Sequence, residues 1–136
     1  MLFEKYMICE DGFGNTYDEN GWLTGFQFKL RISYYRALRL SMIEDIQVTV
    51  DGKTFPSDKL LFTVEEGTFT LAQMKTMPDL YWDFGEPAVI RVVDPDGLGR
   101  GNNPEYRRLR VYLKFRVSYS FTGFSAATEK VLKPTL

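Results

Sequence analysis

The sequence predicts an all-β fold: a single-domain antiparallel β-sandwich of jelly-roll-like kind. Three observations point there. Residues 109–121, LRVYLKFRVSYSF, alternate apolar and polar without a break, the signature of a strand with one face buried. Turn formers separate further alternating runs at intervals of about 8–12 residues, the spacing of a sandwich. Helical spacing is scarce. The chain has 136 residues, the length of one domain spanning 1–136, and a chain of that size buries about two-thirds of the surface its unfolded form exposes. It therefore needs neither a disulfide nor a metal to hold its core.

Each element has its own signal. Residues 3–8 and 22–33 are predicted as strands around the turn Asp18-Glu19-Asn20-Gly21. In the second run Phe26, Phe28, Leu30 and Ile32 form the apolar face, opposite Gln27, Lys29, Arg31 and Ser33. Residues 37–44 have helical propensity, but Leu38, Leu40 and Met42 keep the period of two, which predicts an extended segment with a bend. Residues 46–50 and 53–55 flank Asp51-Gly52, the strongest short hairpin signal. A second hairpin is predicted from residues 60–64 and 68–71 around Glu65-Glu66-Gly67. Residues 72–77 suit one helical turn before Pro78, and residues 88–93 are apolar on both faces except at Arg91, as in a central strand. Residues 125–136 carry little pattern and are expected to form an arm that orders against a partner.

Composition excludes several functions. With 17 basic and 18 acidic residues the net charge is −1, which calls for neither nucleic acid nor an anionic membrane. The short basic cluster Arg107-Arg108 with Arg110 is expected to be a solvated strand entry. There is no histidine and one cysteine, Cys9. Ser–His and Cys–His nucleophile pairs are thus absent, as are histidine and thiolate metal sites. No run is long and apolar enough for a signal peptide or a bilayer span, so the expected location is cytoplasmic.

Three motifs have simpler explanations. Residues 11–21 resemble a calcium loop in part, with Asn20 and Asp18 at ligand positions, but Thr16 and Gln27 occupy the first and closing ones; a hairpin turn is expected instead. The glycine-rich residues 96–104 lead into a strand, whereas a phosphate cradle opens a helix; a long loop is expected. The acid pairs Glu65-Glu66, Glu44-Asp45 and Asp94/Asp96 show no spacing that sets two carboxylates across a bond. The aromatics say more. Eight Tyr, eleven Phe and two Trp are a heavy load for 136 residues, and much of it is core, yet Tyr35, Tyr112 and Trp82 fall on or beside polar-facing positions. Exposed Tyr, Trp and Arg anchor interfaces, where truncating one costs about 2 kcal/mol or more.

The succession Asp18-Glu19-Asn20-Gly21, Thr24-Gly25-Phe26-Gln27-Phe28, Tyr34-Tyr35-Arg36, Leu40-Ser41-Met42-Ile43-Glu44-Asp45, Val48-Thr49-Val50-Asp51-Gly52 and Trp82-Asp83-Phe84-Gly85 resembles the small β subunit of bacterial C-glycoside deglycosidases. The likeness covers most of the chain and is densest over residues 18–56. It implies a β-sandwich subunit that works only with a larger (β/α)8-barrel α subunit, in a higher hetero-oligomer. That partner carries a divalent metal, manganese as a rule. The implied reaction cleaves the carbon–carbon bond between sugar and aromatic aglycone in 3-oxo C-glycosides of plant flavonoids and related polyketides. The catalytic base and metal are then expected on the α subunit, with no catalytic residue or cofactor in this chain.

The resemblance makes residues 32–42 the expected partner-facing segment, with Tyr35 and Arg36 outward. Tyr34, Tyr35, Arg36, Ser41, Trp82 and Phe84 are the candidates for the partner interface or the substrate's surroundings. The alternative is that Tyr34 and Tyr35 both fill core or edge space. Two other functions stay open on the sequence: a non-catalytic carbohydrate-binding sandwich, and a stand-alone enzyme with a carboxylate or tyrosine base.

Overall fold

A computed structural model describes residues 7–32, 37–83, 85–98, 106–116 and 123–134. The described chain opens with a hairpin of β1 (Gly14–Tyr17) and β2 (Leu23–Leu30). A short strand β3 (Leu38–Arg39) passes through a 3-10 turn, Leu40–Met42, into β4 (Ile43–Val50), and β5 (Lys53–Phe55) returns beside it. The second hairpin is β6 (Leu60–Val64) and β7 (Gly67–Phe69), followed by the one-turn helix α1 (Leu71–Met74). Next come β8 (Tyr81–Trp82), β9 (Ala88–Val93), β10 (Arg107–Phe115) and β11 (Phe124–Leu132).

Among the described residues these strands form a five-stranded sheet ordered β1-β2-β9-β6-β7, a four-stranded sheet ordered β11-β10-β4-β5, and the small pair β3-β8. All pairings are antiparallel. The inner faces of both larger sheets supply one continuous core, with Phe26, Phe28, Ile90 and Phe62 from the first and Val48, Leu109, Val111 and Leu113 from the second. The rings of Phe26 and Phe55 meet edge-on across the two sheets, centroids 5.1 Å apart. The fold is therefore the antiparallel sandwich that the alternation predicts.

Local chemistry explains the elements. Asp18 Oδ1 accepts from the backbone N–H groups of Asn20 and Trp22, at 2.9 and 3.0 Å, and so closes the first hairpin. Asp51 and Gly52 both hold positive φ, 49° and 86°, as a tight two-residue hairpin turn requires. Gly25 lies so close to β9 that an added Cβ would run into the Val92 carbonyl. Thr70 caps α1 reciprocally: its Oγ1 accepts from the Gln73 N–H, and Gln73 Oε1 accepts from the Thr70 N–H. β9 sits between β2 and β6, which accounts for its near-continuous apolar run.

Three expectations need correction. The segment expected as an arm contains a strand: Phe124–Leu132 is β11, paired with β10 from Arg107↔Leu132 to Phe115↔Phe124, and residues 135 and 136 lie outside the described residues. The strand expected over 109–121 is Arg107–Phe115, and residues 117–122 lie outside the described residues. Arg107 is not solvated. It is 6% exposed and its Nη1 donates to Asp51 Oδ2 at 2.9 Å.

Candidate functional site

The sequence singled out two segments, 32–42 and 82–85, and the structure brings their described parts together. β3 pairs with β8, Leu38 opposite Trp82 and Arg39 opposite Tyr81. The Leu40 N–H then donates to the Leu80 carbonyl at 2.9 Å. The period of two sorts the side chains. Leu38 and Trp82 point into the core, while Arg39 and Tyr81 lie on the exposed side. Of the candidates, Tyr34, Tyr35, Arg36 and Phe84 lie outside the described residues. In sequence, residues 33–36 run directly into this corner and residue 84 leaves it.

Trp82 is placed otherwise than expected. It is fully buried, its ring stands edge-on to Phe62 at 5.2 Å, and its Nε1 donates to the Glu86 carbonyl at 2.7 Å. The indole is a core plug with a satisfied polar atom and cannot serve as a surface anchor. Ser41 sits half-buried in the Leu40–Met42 turn, and among the described residues its hydroxyl makes no hydrogen bond.

The residues that the corner does present are Arg39 and Tyr81, neither singled out from the sequence. The Arg39 guanidinium stands 5.5 Å over the Tyr81 ring, and its Nη1 donates to the Pro78 carbonyl at 3.4 Å. A planar cation stacked on an aromatic face is held flat and keeps further donors open to a neighbour. The signal was present in Leu80-Tyr81-Trp82: once Trp82 is inward, Tyr81 must be outward. Glu86 braces the loop behind, its carboxylate accepting from the backbone N–H groups of Glu65 and Asp83.

Several carboxylates elsewhere are committed to structure. Glu44 meets Arg116 at 2.8 Å and Lys114 at 3.5 Å; Asp11 meets Lys29 at 2.9 Å. The Lys29 hydrogen bond is the chief reason the Asp11 carboxyl lies below its ordinary range. Among the described residues no three acid or sulfur side chains lie close enough to hold a metal ion. Cys9 is buried, and that burial pushes its thiol up despite the nearby Arg31, which weakens it as a nucleophile. No described helix is long and apolar enough to cross a membrane. The corner thus presents a stacked cation and an aromatic ring.

Residues 3–119 match the family model described as C-glycoside deglycosidase beta subunit. The chain is 35% identical over 116 residues to the C-glycoside deglycosidase beta subunit of Eubacterium cellulosolvens, covering 85% of this chain and 76% of that one. It is 34% identical over 91 residues to the 3'-dehydrocarminate deglycosidase beta subunit of a Microbacterium species, covering 67% and 64%. With the C-glycoside deglycosidase beta subunit of Microbacterium trichothecenolyticum it shares 34% identity over 62 residues, 46% of this chain and 47% of the relative.

Proposed function

The chain belongs to the C-glycoside deglycosidase beta subunit family, and from that premise we propose that it is the small subunit of a two-subunit carbon–carbon lyase acting on 3-oxo C-glycosides. The match over residues 3–119 carries the proposal. One relative's name specifies a 3'-dehydro compound, which supports a substrate already oxidised on its sugar. The larger subunit is a (β/α)8 barrel on this proposal, and the assembly is a higher hetero-oligomer.

The division of labour follows from chemistry. An aryl group bound through carbon has no leaving oxygen, so acid-assisted hydrolysis of the glycosidase kind has nothing to protonate. A ketone at C3 acidifies the hydrogen on C2. A base removes that proton, its electron pair becomes the C1–C2 double bond, and the C1–aryl bond breaks as the aryl carbon takes a proton. Among the described residues Asp11, Glu44, Asp51 and Asp94 are held in ion pairs. We therefore assign the base, and a divalent metal with it, manganese by the resemblance, to the larger subunit. This chain's part is to dock residues 32–42 and the Arg39–Tyr81 corner against that subunit, with Tyr35 and Arg36 as further contacts.

The test is to express the chain with the larger deglycosidase subunit of the same genome, then measure aglycone release from a 3-oxo C-glycoside. Release should need both chains and the oxidised sugar, fall with a chelator and return with Mn2+. Tyr35→Ala with Arg36→Ala should weaken assembly while the isolated chain keeps its melting curve. Full activity of this chain alone would overturn the proposal, as would a larger subunit that is fully active without it.

A further inference from the structure

The outward positions of β10 read Arg108, Arg110, Tyr112 and Lys114, and Arg116 continues the row one residue past the strand. The inward ones, Leu109, Val111, Leu113 and Phe115, fill the core. Alternate residues on a strand are about 6.7 Å apart, so four cations and a tyrosine line a row of roughly 27 Å. A chain of net charge −1 has gathered them on one face.

The row has two halves. At one end Lys114 and Arg116 share Glu44. At the other, Arg108 and Arg110 are exposed, and among the described residues no carboxylate is paired with either side chain. Glu129 stands opposite Arg110 in the register without forming an ion pair. Beside Arg110 the sheet is hollowed: Gln47, Thr49, Thr54, Arg110 and Tyr112 line a cleft of about 320 Å³. Three of the cleft's other polar residues are already engaged. Thr49 and Thr54 hydroxyls bond each other at 3.0 Å, and Gln47 Nε2 donates to Asp45 at 3.0 Å. The guanidinium is the charged donor of the hollow, with Tyr112 beside it. A planar fork of N–H groups matches a carboxylate, and neighbouring cations raise the local potential for one. The row is also continuous with the corner described above, since the Arg116 N–H donates to the carbonyl of Met42 in the Leu40–Met42 turn at 2.8 Å.

We propose that the outer face of the four-stranded sheet is a docking surface for an acidic segment of the larger subunit, with one of its carboxylates seated in the hollow against Arg110. This rests on the chain being the small subunit of the complex. A glycan would need an open aromatic platform, whereas Tyr112 is half-buried and flanked by cations along its strand.

Binding of the larger subunit is measured by calorimetry at low and at moderate salt, for the wild-type chain, Arg110→Glu, Arg110→Lys and Arg91→Glu. Arg91 is an exposed cation on the outer face of the other sheet and serves as control. Arg110→Glu should weaken association at least tenfold and flatten its salt dependence. Arg110→Lys should recover part of it, and Arg91→Glu should stay within twofold of wild type. Hydroxyl-radical footprinting of the wild-type complex should show Tyr112 protected, a readout that needs no variant. Wild-type affinity for Arg110→Glu, or a Tyr112 as reactive in the complex as alone, overturns the docking surface and leaves the subunit assignment standing. A wild-type chain that does not bind the larger subunit overturns both. Saturable glycan binding lost in Arg110→Glu, with complex affinity unchanged, overturns it in favour of a sugar site.

Discussion

Asp51 holds two consecutive residues of β10 with one carboxylate: Oδ2 accepts from Arg107 Nη1 at 2.9 Å, and Oδ1 accepts from the Arg108 N–H at 3.0 Å. The Asp51 N–H in turn donates to the Arg108 carbonyl at 3.0 Å. The β4–β5 turn is thereby clamped to the neighbouring strand, and the buried Arg107 charge gains an acidic partner. Asp51→Asn keeps a residue tolerant of positive φ but removes the charge, and should cost about 1 kcal/mol. Asp51→Ala also removes both acceptors and strains the turn, and should cost about 2 kcal/mol. Urea midpoints at constant m-value would show this order. Equal stability of all three proteins would mean that the clamp is idle.

The same carboxylate should shape the acid limb of stability. Partial burial tends to raise the Asp51 pKa, but the Arg108 N–H and the Arg107 hydrogen bond and charge outweigh it, and the result lies below the ordinary value. A group depressed on folding stabilises the native state above its unfolded pKa, near 3.9 in outline, about the usual aspartate value. That contribution is lost as pH falls through the lower folded pKa. Between about pH 5 and the folded pKa, wild-type stability should therefore fall with acid more steeply than that of Asp51→Asn. Asp11, also depressed, keeps part of the slope in the variant. Parallel acid limbs would show that Asp51 is not depressed in solution.

The elements that the sequence disclosed are those where chemistry is local. Asp51-Gly52 announces its turn by residue type, and β10 announces itself by alternation across its whole length. β11 was hidden because only Ala126 and Leu132 of FSAATEKVL are deeply buried; as an edge strand it takes order from the register with β10 rather than from its own pattern. Trp82 was misplaced for a related reason. Its direction is set by pairing with Leu38, 44 positions earlier in the chain, and no local pattern fixes it. The Asp51–Arg107 pair was likewise invisible, since two residues far apart in sequence meet only once β4 and β10 are neighbours. The pairing of Leu38 and Arg39 with Trp82 and Tyr81 became visible only through the structure.

The two tryptophans should report opposite environments. Trp82 is fully buried and Trp22 is 73% exposed at the first hairpin. Trp22→Phe should shift the emission maximum to shorter wavelength, lower acrylamide quenching, and change stability by less than about 0.5 kcal/mol. Trp82→Phe should do the reverse and cost about 2 kcal/mol, since the Glu86 carbonyl loses its donor and the core loses volume. A quenchable, red-emitting Trp22→Phe protein would place Trp82 at the surface after all.

Removal of residues 124–136 separates an arm from a strand. An arm that only meets a partner would leave the isolated domain with its cooperative melt. As β11, the segment pairs with β10 along nine register positions, stacks Phe124 on Phe115 at 5.7 Å and buries Ala126 and Leu132. Without it β10 becomes an edge, a long row of unpaired N–H and C=O groups beside uncovered apolar side chains. The truncated chain should lose its cooperative transition and associate through the bared strand, seen by circular dichroism and sedimentation. Ala126→Asp tests the same strand within the full chain. It sets a carboxylate where 1% of the residue is exposed, and should cost about 3 kcal/mol or more. A truncated chain that melts cooperatively near the wild-type temperature would return residues 124–136 to the role of an arm and break the four-stranded sheet on which the docking surface depends.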